Sequence, residues 1–92
     1  MARSIISNTK KCYICGSTLN LEKHHCIFGT ASRSKAESDG LWVYLCHNCH
    51  HGVHNENVYA KRSLQMKAQL CWEEKNGKNA AQFIQRYGRS YL

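Results

Sequence analysis

All six histidines and four of the six cysteines of this chain fall in three short stretches. Cys46-His47-Asn48-Cys49-His50-His51-Gly52-Val53-His54 puts two cysteines and four histidines into nine residues. Cys12-Tyr13-Ile14-Cys15-Gly16 supplies a second CxxC, and the adjacent pair His24-His25 lies between the two. Two thiolates separated by two residues can reach one ion, and the following glycine permits the positive φ that closes such a turn. Cys12, Cys15, Cys46 and Cys49 are therefore expected to hold one structural Zn2+ in a closed tetrahedral set that leaves no position for substrate. The thirty residues between the pairs exceed the usual zinc-ribbon gap, which implies an insertion carrying the histidine pair. A version in which His47 or His50 replaces one cysteine competes. Cys26 and Cys71 belong to neither pair and are expected as buried thiols.

A lone histidine is ordinarily a polar or core residue, but four within eight residues plus an upstream pair point to ligation. Neighbouring residues on a strand face opposite sides, so His24 and His25 cannot share a task. His50 and His54 are four apart and share a helix face. Once zinc joins the two CxxC pairs, the chain between must double back and bring the His24 strand beside that helix. The expected result is a divalent ion with open positions on His24, His50 and His54, and His25 presented to substrate from the other side of the strand. His47 and His51 have the same spacing but start inside the cysteine turn, where helix is less expected, and rank second. An all-imidazole set suits Mn2+, Ni2+, Co2+ or Zn2+ better than Mg2+, which prefers oxygen but can serve with water and phosphate completing its shell.

The elements that must position these residues are legible at low resolution. Leu21–Phe28 reads as extended, and Leu41–Leu45, nearly all apolar, aromatic or β-branched, as the clearest strand. Thr30–Gly40 is polar and reads as a loop with at most a helical turn near Ala36. A helix is expected from about Cys49, short or interrupted because of Gly52 and Asn55. Asn57 is a cap for a second helix over about 58–75, with Leu64, Ala68 and Cys71 or Trp72 at helical spacing; Asn76-Gly77 stops it. Asn79 then caps a last helix, 80–87, burying Phe83, Ile84 and Tyr87. The fold class is small α+β, zinc-stapled. It divides into a flexible basic arm over 1–11, a zinc-knuckle core over 12–57 and a helical extension of the same domain over 58–92.

Ninety-two residues make one small domain, for which a metal staple is physically useful. Thirteen Lys and Arg against six Asp and Glu leave a charge of +7, which points to a polyanionic partner. Arg33 and Lys35 in the polar loop and Lys61, Arg62 and Lys67 on the long helix are the expected phosphate contacts, whereas Arg3, Lys10 and Lys11 are expected in a disordered arm. Trp42 and Tyr44 are expected in the core rather than stacked on bases. No apolar run is long enough to span a bilayer, and no apolar signal core follows Met1. A cytoplasmic, reducing setting and metal-bound thiolates are expected over disulfides.

His24-His25, a strand ending in Leu45-Cys46, and a CxxCH followed by a histidine four residues on resemble the HNH endonucleases. These form the ββα-metal, or His-Me finger, superfamily, and the likeness is greatest to its zinc-knuckle subgroup often carried by bacteriophages. The resemblance covers Cys12 to about His54. It implies a ββα-metal core in which His25 is the general base, and His24, His50 and His54 hold the catalytic ion. It also implies hydrolysis of DNA phosphodiester bonds to 5′-phosphate and 3′-hydroxyl ends, in a host cytoplasm if the chain is phage-encoded. One departure stands out: the family's middle Asn, which holds the base, falls here on Leu41. Asp39 and Asn48 are out of register, and a backbone carbonyl is the expected substitute. A monomer would nick double-stranded DNA, whereas a double-strand break needs a homodimer or two events. A neutral His25 implies activity falling below about pH 6.5. Two other classes are weighed: a non-catalytic zinc module binding nucleic acid through an eroded HNH site, and a nuclease component active only within a larger phage complex.

Overall fold

In the computed structural model, which describes residues 3–29 and 31–92, two antiparallel strands set the frame. Strand β1 (Leu21–His25) pairs with β2 (Trp42–Cys46) in the register Glu22↔Leu45, Lys23↔Tyr44, His24↔Val43 and His25↔Trp42. Alternation along the strands then sorts the side chains. Glu22 and His24 share a face with Val43 and Leu45, and Lys23 and His25 share the opposite face with Trp42 and Tyr44. β1 stops at His25, although Cys26 and Ile27 beyond it are buried. Trp42 is buried as expected, and Tyr44 is half-exposed.

Helix α1 (Ser32–Asp39) connects the strands where a loop is expected from the sequence, so that expectation is corrected for residues 32–39. Thr30, like Met1 and Ala2 of the expected arm, lies outside the described residues. Only Ala36 of this helix is buried, so it carries no apolar stripe for a sequence reading to detect. Gly40 ends it in the left-handed region, φ 75°, and donates its N–H back to the helix. Arg3 lies so close that a side chain at Gly40 would meet its carbonyl. Within the segment expected as an arm, Ile5 donates to the Gly40 carbonyl (2.9 Å), Ser4 donates to that of Trp42, and Ile5 and Ile6 pack against the core.

Helix α2 (His47–Asn55) starts two residues earlier than expected and runs unbroken through Gly52. The second CxxC is thus the helix's first turn. Helix α3 (Val58–Asn76) is capped by Asn57, whose side chain accepts from the Ala60 N–H at 3.0 Å. Leu64, Ala68 and Trp72 form its buried stripe. Helix α4 (Ala80–Tyr87) begins with a reciprocal capping box between Asn79 and Gln82, both bonds 3.0 Å. It buries Phe83 and Tyr87 against Trp72, at ring separations of 5.4 and 6.4 Å. Ile84, expected inside, is 42% exposed, because four-residue spacing puts Phe83 and Tyr87 on one face and turns Ile84 out of it. Cys26 is fully buried; Cys71 is only half-buried. No helix among the described residues is long and apolar enough to cross a membrane.

One carboxylate joins α1 to the C-terminal helices. Asp39 accepts from Trp72 Nε1 (3.0 Å), from Arg86 Nε (2.6 Å) and Nη2 (2.9 Å), and from the Tyr87 hydroxyl (2.6 Å). Charge-assisted bonds of this kind, partly shielded from water, are the strong ones, and removing their acceptor strands four donors. Asp39→Ala is expected to lower stability by about 3 kcal/mol, seen as a shifted urea midpoint. A loss under about 0.5 kcal/mol, the scale of an ordinary surface change, would show the cluster to be a solvated surface feature.

Candidate metal centres and active-site cleft

The fold brings the two CxxC pairs together at the joint between β2 and α2. Cys12 is in the core, while Cys15 reaches within 3.7 Å of Cys46, Sγ to Sγ. All four sulfurs, Cys12, Cys15, Cys46 and Cys49, lie within 4.8 Å of one another. A tetrahedral ion with bonds of about 2.3 Å has sulfurs about 3.8 Å apart, so the set fits zinc. Its electrostatics agree. Burial opposes ionisation of Cys12, but backbone N–H groups of Cys15, Cys46 and Ile14 aimed at its sulfur bring that thiol down to about 6. Cys49 is pushed strongly up, by burial first and then by the other three sulfurs. One thiolate forms readily and opposes the next, a conflict that a divalent cation removes.

The second cluster sits on the inward face of β1. His24, His50 and His54 converge with their ligand nitrogens within 4.8 Å of one another. His24 is 1% exposed, and neither of its ring nitrogens has a hydrogen-bond partner. An imidazole buried without partners is costly, and a metal ion satisfies it where no protein group does. Burial, followed by the charges of His50, His54 and His25, holds the His24 pKa down to about 3, which keeps a lone pair available. His54 is likewise lowered, by burial and then by His50, Arg33 and Lys61. Glu22 accepts from His50 Nδ1 at 2.7 Å and His47 Nδ1 at 2.9 Å, which leaves Nε2 of His50 for the triad. Such outer carboxylates orient ligating histidines and raise their basicity. Phe28 closes the cluster with its ring 5.1 Å from that of His54.

His25 lies on the opposite face of the strand yet lines the same cleft as His50 and His54. Lys23, Phe28 and Arg33 complete that cleft of about 310 Å3. Its Nε2 is 2.8 Å from Glu37 Oε1, and Lys23 Nζ bonds both oxygens of Glu37 at 3.2 and 3.1 Å. The His25 hydrogen bond, then Lys23, holds the Glu37 carboxyl below its ordinary range. The expectation of a backbone carbonyl behind His25 is therefore corrected to the carboxylate of Glu37. Leu41, at the position of the absent Asn, is fully buried.

The other expected residues divide. Arg33 lines the cleft, and Lys61 is close enough to act on His54. Lys35 turns away and donates to the Arg86 carbonyl at 2.8 Å. Arg62 and Lys67 are exposed on α3. The rival pair is helical after all, but His47 turns to Glu22 and His51 lies exposed beside Asn55. Glu22 could have been found from the sequence, since it shares the face of His24 by simple alternation. Glu37 could not, because its helix has no periodic signature.

Fold and sites together define a small α+β protein with a four-cysteine cluster fit for zinc and a histidine triad able to hold another metal. Compared with family models, curated proteins and solved structures, the chain matches none.

Two outcomes follow from the clusters. Purified protein should retain one zinc per chain, and Cys46→Ser should lose the zinc together with several kcal/mol of stability; a zinc-free chain with unchanged melting would refute the staple. The second concerns acid. In the unfolded chain His24 titrates near 6.5, and in the fold near 3, so between those values the unfolded state binds the extra proton and stability falls as pH falls. With zinc in the knuckle and no ion at the triad, urea unfolding should show up to about 1.4 kcal/mol lost at pH 5.5 relative to pH 7.5. His24→Leu should flatten that dependence; an equal slope in both proteins would contradict the assignment.

Proposed function

We propose that the protein is a metal-dependent endonuclease of the HNH type that hydrolyses phosphodiester bonds in DNA. One observation carries the reading: a buried histidine with two unpartnered nitrogens, between His50 and His54, stands back to back on one strand with a cleft-lining histidine held by a carboxylate. A purely structural site has no use for the second histidine, and a binding module has no use for the triad. The resemblance in motif spacing over Cys12–His54 supports the same reading.

In this scheme His24, His50 and His54 hold a divalent ion, which when bound supplies Lewis-acid stabilisation of charge on the phosphoryl group and the departing 3′ oxygen. His25 accepts a proton from the water that attacks phosphorus in line, and the bond to the 3′ oxygen breaks. General-base help of this kind gives about 10²–10⁴-fold. Arg33 and Lys23 line the cleft and Lys61 lies near enough to act on His54, positive charge that receives the phosphate backbone, so binding should weaken as salt rises. One such site cuts one strand at a time.

Nicking of supercoiled plasmid, scanned over Mn2+, Ni2+, Co2+, Mg2+ and Zn2+, tests this. Metal-dependent nicking is expected, and His25→Ala that still carries its structural zinc should lose at least about 100-fold. Cleavage surviving in that variant would assign the base elsewhere or expose a contaminant. No cleavage in any metal, with salt-sensitive DNA binding retained, would favour the non-catalytic module or a component that acts only within a larger complex.

A further inference from the structure

Helix α1 offers one face to the cleft: Arg33 lines it, and Glu37, four residues on, meets His25. A carboxylate that Lys23 already grips through both oxygens has no proton to give, so its short contact with His25 Nε2 has only one assignment. Nε2 is the donor. The neutral imidazole then carries its hydrogen on Nε2 and its lone pair on Nδ1. We propose that Glu37 is a positioning residue that fixes His25 as the Nε2–H tautomer, making Nδ1 the atom that takes the proton from water. This rests on the nuclease reading for the role of Nδ1, although the tautomer itself does not.

The step balances without a further reagent. Water gives one proton to Nδ1 and forms its bond to phosphorus as the bond from phosphorus to the 3′ oxygen breaks. The ring becomes imidazolium with hydrogens on both nitrogens. Glu37 stays ionised and faces the new positive charge, then Nδ1 releases its proton to solvent. Glu37 thereby does two things that a neutral amide or a carbonyl would do only in part: it selects the tautomer, and it stabilises the charged ring. Lys23 holds the carboxylate in place and also sits 4.3 Å over the Trp42 ring, which ties the arrangement to β2. An ordinary surface ion pair between Glu37 and Lys23 would leave His25 uninvolved. Here His25 takes the shortest of the three bonds to that carboxylate, at 2.8 Å, and its side chain is 19% exposed.

The test joins a spectroscopic readout to a kinetic one. Histidine labelled with 15N, in zinc-loaded protein free of paramagnetic ions at pH 8, should show His25 as a single tautomer with Nε2 bearing the hydrogen. Glu37→Ala that retains zinc should show a mixture of tautomers, and Glu37→Gln, whose amide oxygen can still accept, should keep the wild-type form. On plasmid, Glu37→Ala should lower kcat about 100-fold with KM within about twofold, and Glu37→Gln should recover a substantial part of the loss. An Nδ1–H tautomer in the wild type, an unchanged tautomer in Glu37→Ala, or a kcat within twofold of wild type in that variant would each overturn the proposal. A wild-type chain with the predicted tautomer and no cleavage would sink the reading of the chain as a nuclease acting alone, and with it Nδ1's role as base there, and leave the Glu37–His25 pairing standing.

Discussion

The joint at Cys46 and His47, where β2 becomes α2 inside a CxxC, is the constraint on which the rest of the structure depends. Four sulfurs meet there, two of them brought from the N-terminal knuckle. Tyr13 donates to the Tyr44 carbonyl at 2.8 Å, and His47 donates from its backbone to Asn20 at 3.0 Å, so the knuckle is bonded to strand and helix on either side of the joint. Because the second CxxC is also the first turn of α2, whatever fixes the sulfurs fixes the helix's direction and rotation. His50 and His54 follow one and five residues after Cys49, and their aim across β1 is set by that rotation. The apolar core is too small to do this alone: Val53 is the only buried residue of α2.

Strand β1 acts as a sorting device. Alternation sends Glu22 and His24 inward to the triad and Lys23 and His25 outward, and each histidine environment receives one carboxylate. The two acids differ in what they orient. Glu22 bonds Nδ1 of His50 and frees Nε2 toward the triad; Glu37 bonds Nε2 of His25 and frees Nδ1. His24 receives neither, and its two ring nitrogens, buried without a hydrogen-bond partner, are able to take a metal ion. Two histidines adjacent in sequence thus stand in opposite electrostatic settings: His24 dry and unpartnered, His25 half-shielded and paired.

The clusters were legible because metal ligation imposes spacing that survives without knowledge of the fold. CxxC pairs, an i,i+4 histidine pair and a strand-borne neighbour each restrict geometry locally, and the doubling back needed to join the cysteines supplies the one long-range contact. Helices α3 and α4 were legible through Asn57 and Asn79, whose caps the structure retains. Helix α1 was not, because its local support is confined to the Gly40 cap: its N-cap makes no side-chain hydrogen bond and its sequence has no apolar face. The acids were legible only so far as their elements were. Charge alone carries no direction: Arg33 reaches the cleft, whereas Lys35, two residues on, bonds the Arg86 carbonyl instead.

That same lack of local support gives the C-terminal helices a purpose. An isolated helix of eight residues is far below the length at which hydrogen bonding sustains it in water. What holds α1 is Asp39 at its last turn, bonded to Trp72, Arg86 and Tyr87, and Lys35 in its middle, bonded to the Arg86 carbonyl. All of those anchors lie on α3 and α4. Glu37 and Arg33, the two residues α1 sends toward the cleft, are therefore placed by a segment that lines no part of it. The extension beyond residue 57 is the support of a wall of the cleft. Without those anchors α1 would lose its placement, and the cleft its hold on the group behind His25.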